Sequence, residues 1–278
     1  MNAKILQGEE IAKRTLEDLK GKVASRRLKL VVVQVGKNAV SETYIHKKEE
    51  AARELGIDFE VHKLSQEISQ VELKSRVEAI GKDNAVSGMI IQLPLPKHLN
   101  QQEILDAIPL EKDVDVLSSE SFGLFAVGRS RILPPTVGAV LLLLQEYGIT
   151  IKGKNVAIVG AGRLVGLPLA IWGMREGGTI FVANEYTQDL SLCTKKADIL
   201  ISGVGKPRLI KSDMVKKGAV VIDAGTSVEG GKTKGDVDFP RVAKKAGFIT
   251  PVPGGVGPLT VACLLKNLFV VGRKDRNK

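Results

Sequence analysis

Short apolar runs recur along this chain, and stretches of helical period lie between them. LKLVVVQV (28–35), IDFEVHKL (57–64), GMIIQL (88–93), KNVAIVG (154–160), TIFVAN (179–184), ADILIS (197–202) and GAVVIDAG (218–225) read as strands, and GFITPVPGG (247–255) opens from another. Helices are expected from the first turns (Ile11, Leu16, Leu19 and Val23 share a face), over 39–55, 69–82, about 136–147 and 164–176. Gly56 stands where a helix over 39–55 needs its C-terminal glycine. Many of these strands are too apolar to leave a face in water. A parallel sheet with helices on both faces buries them, so the chain reads as α/β.

The rhythm breaks once. Residues 109–135 carry prolines and serines and are expected as loop; from Lys154 the alternation restarts. A domain boundary is therefore expected within 136–153, and 278 residues suit two domains.

Charge narrows the partners. The net charge is +10, which favours polyanions: nucleic acid, membrane surfaces, phosphates or polycarboxylates. The cations are interleaved with acids, as in EEIAKRTLEDLKGK (9–22), and only Arg273 to Lys278 form a basic cluster, read as a solvated terminus. With no interleaved aromatics and no binding motif, a nucleic-acid partner is not expected. The start MNAKILQGEE lacks an apolar targeting core, and the uncharged stretch Gly247–Leu265 is broken by Pro251, Pro253 and Pro258, so no membrane helix is expected. Cys193 and Cys263 form no paired motif and the histidines no metal spacing. The expectation is a reduced, cytoplasmic protein without a metal site.

Three places carry chemistry. VAIVGAGRLVG (156–166) sets Gly160, Gly162 and Gly166 between a strand and a helix. Glycines there let a backbone approach a pyrophosphate, which the helix N-terminus favours; the alternative is a tight turn without a ligand. Glu185 closes the next strand, where an acid binds a ribose 2′-hydroxyl. On the 39–55 helix, Ser41, Tyr44, Ile45, Lys48, Ala51, Ala52 and Leu55 share one face, with Lys48 its only charge. Such a lysine snorkels, pairs, or gives up its proton more readily and serves as a base. Gln92 ends an apolar strand, where open α/β sheets place ligand contacts. Asp113 and Asp115 bind a polar substrate or cap a turn, and PVPGGVGP (251–258) is a ligand-facing loop or a rigid connector.

Together these residues resemble the bifunctional methylenetetrahydrofolate dehydrogenase/methenyltetrahydrofolate cyclohydrolase family. The marks run in order: VG-x4-S-x2-Y-x3-K (Val35–Lys48), GMIIQLPLP (Gly88–Pro96), KDVD (Lys112–Asp115), G-x5-G-x-P (Gly160–Pro168), GDVDF (Gly235–Phe239) and TPVPGGVGPLT (Thr250–Thr260). The resemblance implies a folate-binding catalytic domain over 1–140, completed by a C-terminal helix over 256–278, and a Rossmann-type cofactor domain over 141–255. It implies oxidation of 5,10-methylenetetrahydrofolate by a nicotinamide cofactor, hydrolysis of the methenyl product to 10-formyltetrahydrofolate, and a homodimer. Retention of only one activity, or a cofactor-binding regulatory protein, are the alternatives.

Carried over by motif, Lys48, Tyr44 and Gln92 are catalytic, and Asp115, Ser41, Pro253, Gly254 and Gly255 bind substrate. Gly160, Gly162, Arg163, Gly166, Glu185 and Thr226 are expected to bind NAD or NADP, Glu185 on its place after the strand rather than on the family pattern. The chain departs from the family where Val116 replaces a glycine after KDVD, and where Ala161 and Glu185-Tyr186 replace polar or basic residues. The last two departures favour NAD.

Overall fold

The computed structural model describes residues 3–24 and 26–272; the basic cluster at 273–278 lies outside them. In chain order the first half holds β1 (Lys4–Ile5), α1 (Gly8–Val23), β2 (Lys29–Val35), α2 (Ala39–Glu54), β3 (Asp58–Leu64), α3 (Gln70–Lys82), β4 (Gly88–Ile91), α4 (Gln101–Asp106), α5 (Ser119–Ala126) and α6 (Pro135–Glu146). Then come β5 (Asn155–Val159), α7 (Gly166–Arg175), β6 (Thr179–Ala183), α8 (Ser191–Thr194), β7 (Ile199–Ser202), β8 (Val220–Asp223), β9 (Ser227–Glu229), β10 (Lys232–Lys234), α9 (Phe239–Val242), β11 (Phe248–Ile249) and α10 (Val256–Val271).

The chain forms two compact units. One contains Arg14–Pro135 and the residues from Val261 onward. Its three-stranded parallel sheet runs β3-β2-β4, with Val32 between Val61 and Ile90. Alternation along β2 divides the core. Leu30 and Val32 pack with Ile45 and Ala52 of α2, with Leu55 that caps it, and with Leu264, Leu265 and Leu268 of α10. Val31 and Val33 pack with Leu73 and Val77 of α3 and Ile104 and Leu105 of α4. Each such buried valine, leucine or isoleucine contributes about 1.5–3 kcal/mol. Local signals set the helix ends: Asn38 Oδ1 accepts the Ser41 amide and Ser69 Oγ the Glu72 amide. Gly56 (φ 73°) takes the left-handed turn after α2.

The other unit comprises the residues up to Lys13 with Thr136–Thr260. Its six-stranded sheet, in the order β1-β11-β8-β7-β5-β6, is parallel throughout. Val159 lies between Ala183 and Ser202, so the carboxyl ends of β5, β6 and β7 are level.

The structure departs from expectation in several places, among them the short helices α4, α8 and α9. Residues up to Lys13, expected in the unit 1–140 with 256–278, fall instead with the larger sheet, because β1 pairs with β11. Within 109–135, expected as loop, α5 forms behind Ser118, whose hydroxyl oxygen accepts the Ser121 amide. β9 and β10 make an antiparallel hairpin across Gly230 and Gly231, both left-handed. β6 ends at Ala183, so Glu185 sits two residues past the strand, in a turn where Asn184 Oδ1 accepts the Tyr186 amide.

Candidate active site

In the first unit described, α2 carries Lys48 towards the carboxyl end of β4. Its Nζ donates to Gln92 Oε1 (3.1 Å), and Gln92 Nε2 donates to the Leu93 carbonyl (3.0 Å). Gln92 is fixed from behind as well, because its amide donates to the Val33 carbonyl and continues the ladder. Ser41 is buried, and its hydroxyl donates to the Leu93 carbonyl (3.2 Å). Ser41 therefore braces the strand end that holds Gln92. Tyr44 lies one turn before Lys48 on α2 and is half-buried.

Burial is the largest influence on Lys48 and holds its ammonium below the usual lysine range; the Asp115 carboxylate opposes that shift. Burial likewise pushes Asp115 up, while Lys48 draws it down and Asp113 adds to the rise. Both residues keep part of their surface in water, so a proton on either is exchangeable.

The two aspartates of KDVD separate by role. Asp113 is fully buried, and its carboxylate accepts the amides of Leu117 (3.0 Å) and Ser118 (2.8 Å). It closes the turn that carries Asp115. Inside that turn Val116 is fully buried with φ 59°. The left-handed region costs a β-branched residue about 1–2 kcal/mol, so this turn is held by its surroundings against local preference.

The glycine turn belongs to the other unit. Gly160 follows β5 with φ 100°, and its amide donates to the Ala183 carbonyl (2.8 Å) at the end of β6. A Cβ at Gly160 would stand 2.8 Å from the Gly203 carbonyl oxygen, and one at Gly166 would collide with the Gly160 carbonyl. Around Gly162 the space is open to 4 Å. A tight turn under α7 with an open side at Gly162 fits the pyrophosphate of a dinucleotide. Glu185 is exposed just past β6, and Arg163 is half-buried. Thr226 follows β8, and its carbonyl lies 3.3 Å from where Gly205 would carry a Cβ. Pro253, Gly254 and Gly255 lead into α10, and the Gly254 carbonyl accepts the amides of Gly8 and Glu9 (both 3.0 Å) at the start of α1.

Residues 6–115 match the tetrahydrofolate dehydrogenase/cyclohydrolase catalytic domain, and residues 134–276 match the NAD(P)-binding domain of the same family. The chain belongs to that family. The bifunctional protein FolD of Nitratiruptor sp. is 43% identical across 98% of this chain and 99% of its own. The crystal structure of the bifunctional FolD methylenetetrahydrofolate dehydrogenase/cyclohydrolase from Campylobacter jejuni superposes with a TM-score of 0.92 at 39% identity, covering 97% and 98% of the two chains. The Trypanosoma brucei enzyme, solved with NADP and an inhibitor, gives 0.95 at 33% identity over the full length of both.

Of the residues expected in the site of this tetrahydrofolate dehydrogenase/cyclohydrolase, Ser41, Lys48 and Gln92 form one bonded set, with Asp115 electrostatically coupled to it and Tyr44 on the same helix. Gly160, Gly162, Gly166, Glu185 and Thr226 gather at the carboxyl ends of the six-stranded sheet. Of the loop 203–206 beside Gly160 only Lys206 stands out in the sequence, as a candidate cation for a 2′-phosphate, although the whole loop follows an apolar strand, β7. Among the described residues no cluster of histidine, cysteine, aspartate or glutamate is arranged to hold a metal ion, and no helix is long and apolar enough to cross a membrane.

Proposed function

We propose that Lys48 is the base of the hydrolytic reaction of this bifunctional enzyme, with Gln92 fixing its position and Asp115 its charge; the oxidation transfers a hydride and releases no proton. The enzyme oxidises 5,10-methylenetetrahydrofolate to the methenyl form and hydrolyses that to 10-formyltetrahydrofolate. The observation that carries the assignment is the Lys48–Gln92 bond on a lysine whose proton is loosened by burial. A cationic methenyl substrate nearby lowers the proton affinity of Lys48 further, so the neutral amine takes a proton from the attacking water. Gln92 Oε1 keeps the amine in place throughout, because its own amide is tied to Leu93. Tyr44 orients the reacting one-carbon group. Asp115 holds the pterin ring, Ser41 acts through the Leu93 carbonyl it shares with Gln92, and Pro253, Gly254 and Gly255 contribute backbone to the substrate.

The dinucleotide supplies a hydride acceptor. Gly160, Gly162, Arg163, Gly166 and Thr226 hold it, and NAD is favoured over NADP. A 2′-phosphate carries close to two negative charges, and Glu185, two residues past β6, would repel it, whereas a free 2′-hydroxyl would donate to the same carboxylate. Ala161 supplies no compensating cation.

The protein acts as a cytoplasmic homodimer. Both cysteines are free thiols, and β6 is an edge strand, with Val182 exposed on it and Met174 and Leu192 exposed nearby in the chain. Light scattering reports the assembly: a monomer at micromolar concentration overturns that part. For the chemistry, one coupled assay follows formation of the methenyl absorbance and then its decay, with NAD or NADP. Both phases are expected, the first faster with NAD. Decay at the uncatalysed rate would overturn the role of Lys48.

A further inference from the structure

Two buried carboxylates lie outside the residues assigned above. Asp223 ends β8, and Asp236 follows the β9–β10 hairpin; they are 3% and 0% exposed. Asp223 Oδ1 accepts the amides of Gly225 (3.0 Å) and Asp236 (3.1 Å), and its Oδ2 the amide of Val237 (2.9 Å). Asp236 Oδ2 accepts the Ser202 hydroxyl (2.8 Å) and the Val204 amide (2.7 Å), and its Oδ1 the Lys206 amide (2.8 Å). A Cβ at Gly225 would collide with the Asp236 carboxylate, and one at Gly235 with that of Asp223. Both approaches therefore depend on glycine. The GDVDF run is the outer half of a relay that reaches from the end of β8 to the loop after β7.

That loop has a defined neighbour. The Gly203 amide donates to the Val159 carbonyl (2.9 Å), and the Gly203 carbonyl limits the space at Gly160. Thr226 approaches the same loop at Gly205. Val204 is 46% exposed, although the backbone beneath it is anchored at residues 203, 204 and 206. An apolar side chain held outward beside a glycine turn makes a rigid wall for a ligand.

We infer that Asp236 is a positioning residue for the dinucleotide: it pins residues 203–206 against the glycine turn and so sets cofactor affinity, without a part in the folate chemistry. The inference rests on the dinucleotide reading proposed above. A carboxylate is required because donors converge on both oxygens. An asparagine offers one acceptor oxygen and turns an NH2 towards a backbone N–H, so at least one amide loses its partner. Asp223 is the less informative target, since its own amide donates to Thr250 Oγ1 (2.7 Å) and ties it to the 250–255 loop.

The test is Asp236→Asn in the full-length protein. Calorimetry measures NAD and NADP dissociation constants, and methenyltetrahydrofolate hydrolysis is followed without dinucleotide. The expected result is a dissociation constant raised at least about tenfold, a parallel rise in dinucleotide KM, kcat at saturation within about threefold, and hydrolysis within twofold of wild type. Unchanged affinity in the folded variant overturns the inference. So does an equal loss of hydrolysis, which marks general structural damage. Should Asp236→Asn fail to fold, Ser202→Ala removes one donor and leaves both amides paired. A two- to fivefold rise in dissociation constant is then expected, and no change overturns the inference. A wild-type protein that binds neither NAD nor NADP overturns the dinucleotide reading itself, and the role of Asp236 with it.

Discussion

Two parts of this molecule bury charge and treat it in opposite ways. Around Asp223 and Asp236 every carboxylate oxygen meets a backbone amide, and the Ser202 hydroxyl completes the set. Around Lys48 one glutamine oxygen and a nearby aspartate offset the burial, and the amine keeps donor capacity that Gln92 does not use. A buried charge with all its partners builds a scaffold. Burial displaces the proton affinity of both, but one left short of partners keeps bonding capacity free for chemistry. Both groups are Asp- or Lys-centred and both sit at strand ends; the number of converging donors separates them.

Removing the charge at the reactive end produces the largest effect. Lys48→Met is expected to lower cyclohydrolase turnover by about 10²–10⁴-fold in a protein that remains folded by circular dichroism. Asp115, without its cation, then holds its proton more firmly. Turnover near wild type would erase the contrast between the two regions.

The scaffold end is expected to show its charge in stability. Burial pushes Asp223 from 3.8 to about 6, against the pull of its amide donors. The folded state therefore binds a proton more tightly than the unfolded chain. The stability this contributes is complete below about pH 4 and lost as pH rises to about 6, roughly 3 kcal/mol in all. Urea unfolding at pH 4.5 and pH 7 reads it: wild type should lose about 2 kcal/mol more than Asp223→Asn over that interval. Parallel behaviour of the two proteins would mean that the amides outweigh burial.

How much of this contrast the sequence displays depends on range. Most strands were legible because their apolar residues run together or, as in β3, alternate with polar ones, and Lys48 because helical period alone puts it on an apolar stripe. Asp113 and Asp115 were not separable, since their difference lies in two amides four and five residues onward. α5 was hidden because prolines and serines flank it, although Ser118 was a capping signal. The Asp236 relay was illegible because its donors lie thirty or more residues away, at Ser202, Val204 and Lys206.

A third charge, on the surface, sharpens the comparison. Glu185→Ser should reduce discrimination of kcat/KM between NAD and NADP by about tenfold, roughly 1.4 kcal/mol, because water weakens a like-charge contact at an exposed site. A clear NADP preference, unchanged by the substitution, would remove Glu185 from the account.

The smallest effect concerns Val116. At an ordinary buried position, alanine leaves a more stable protein than glycine. With φ at 59° the order should reverse, and Val116→Gly should exceed Val116→Ala by about 1 kcal/mol in denaturant unfolding. The usual order would show that the turn relaxes around alanine.

The pairing of β1 with β11 sets the timing of folding. Lys4 lies opposite Phe248 and Ile5 opposite Ile249, so β1 is synthesised long before its partner exists. Contacts so distant in sequence close slowly. Until β1 docks, the outer edge of β11 has no neighbour, and a chaperone or a second nascent chain competes for it. An affinity tag fused at the amino terminus would therefore burden the last step of assembling the larger sheet.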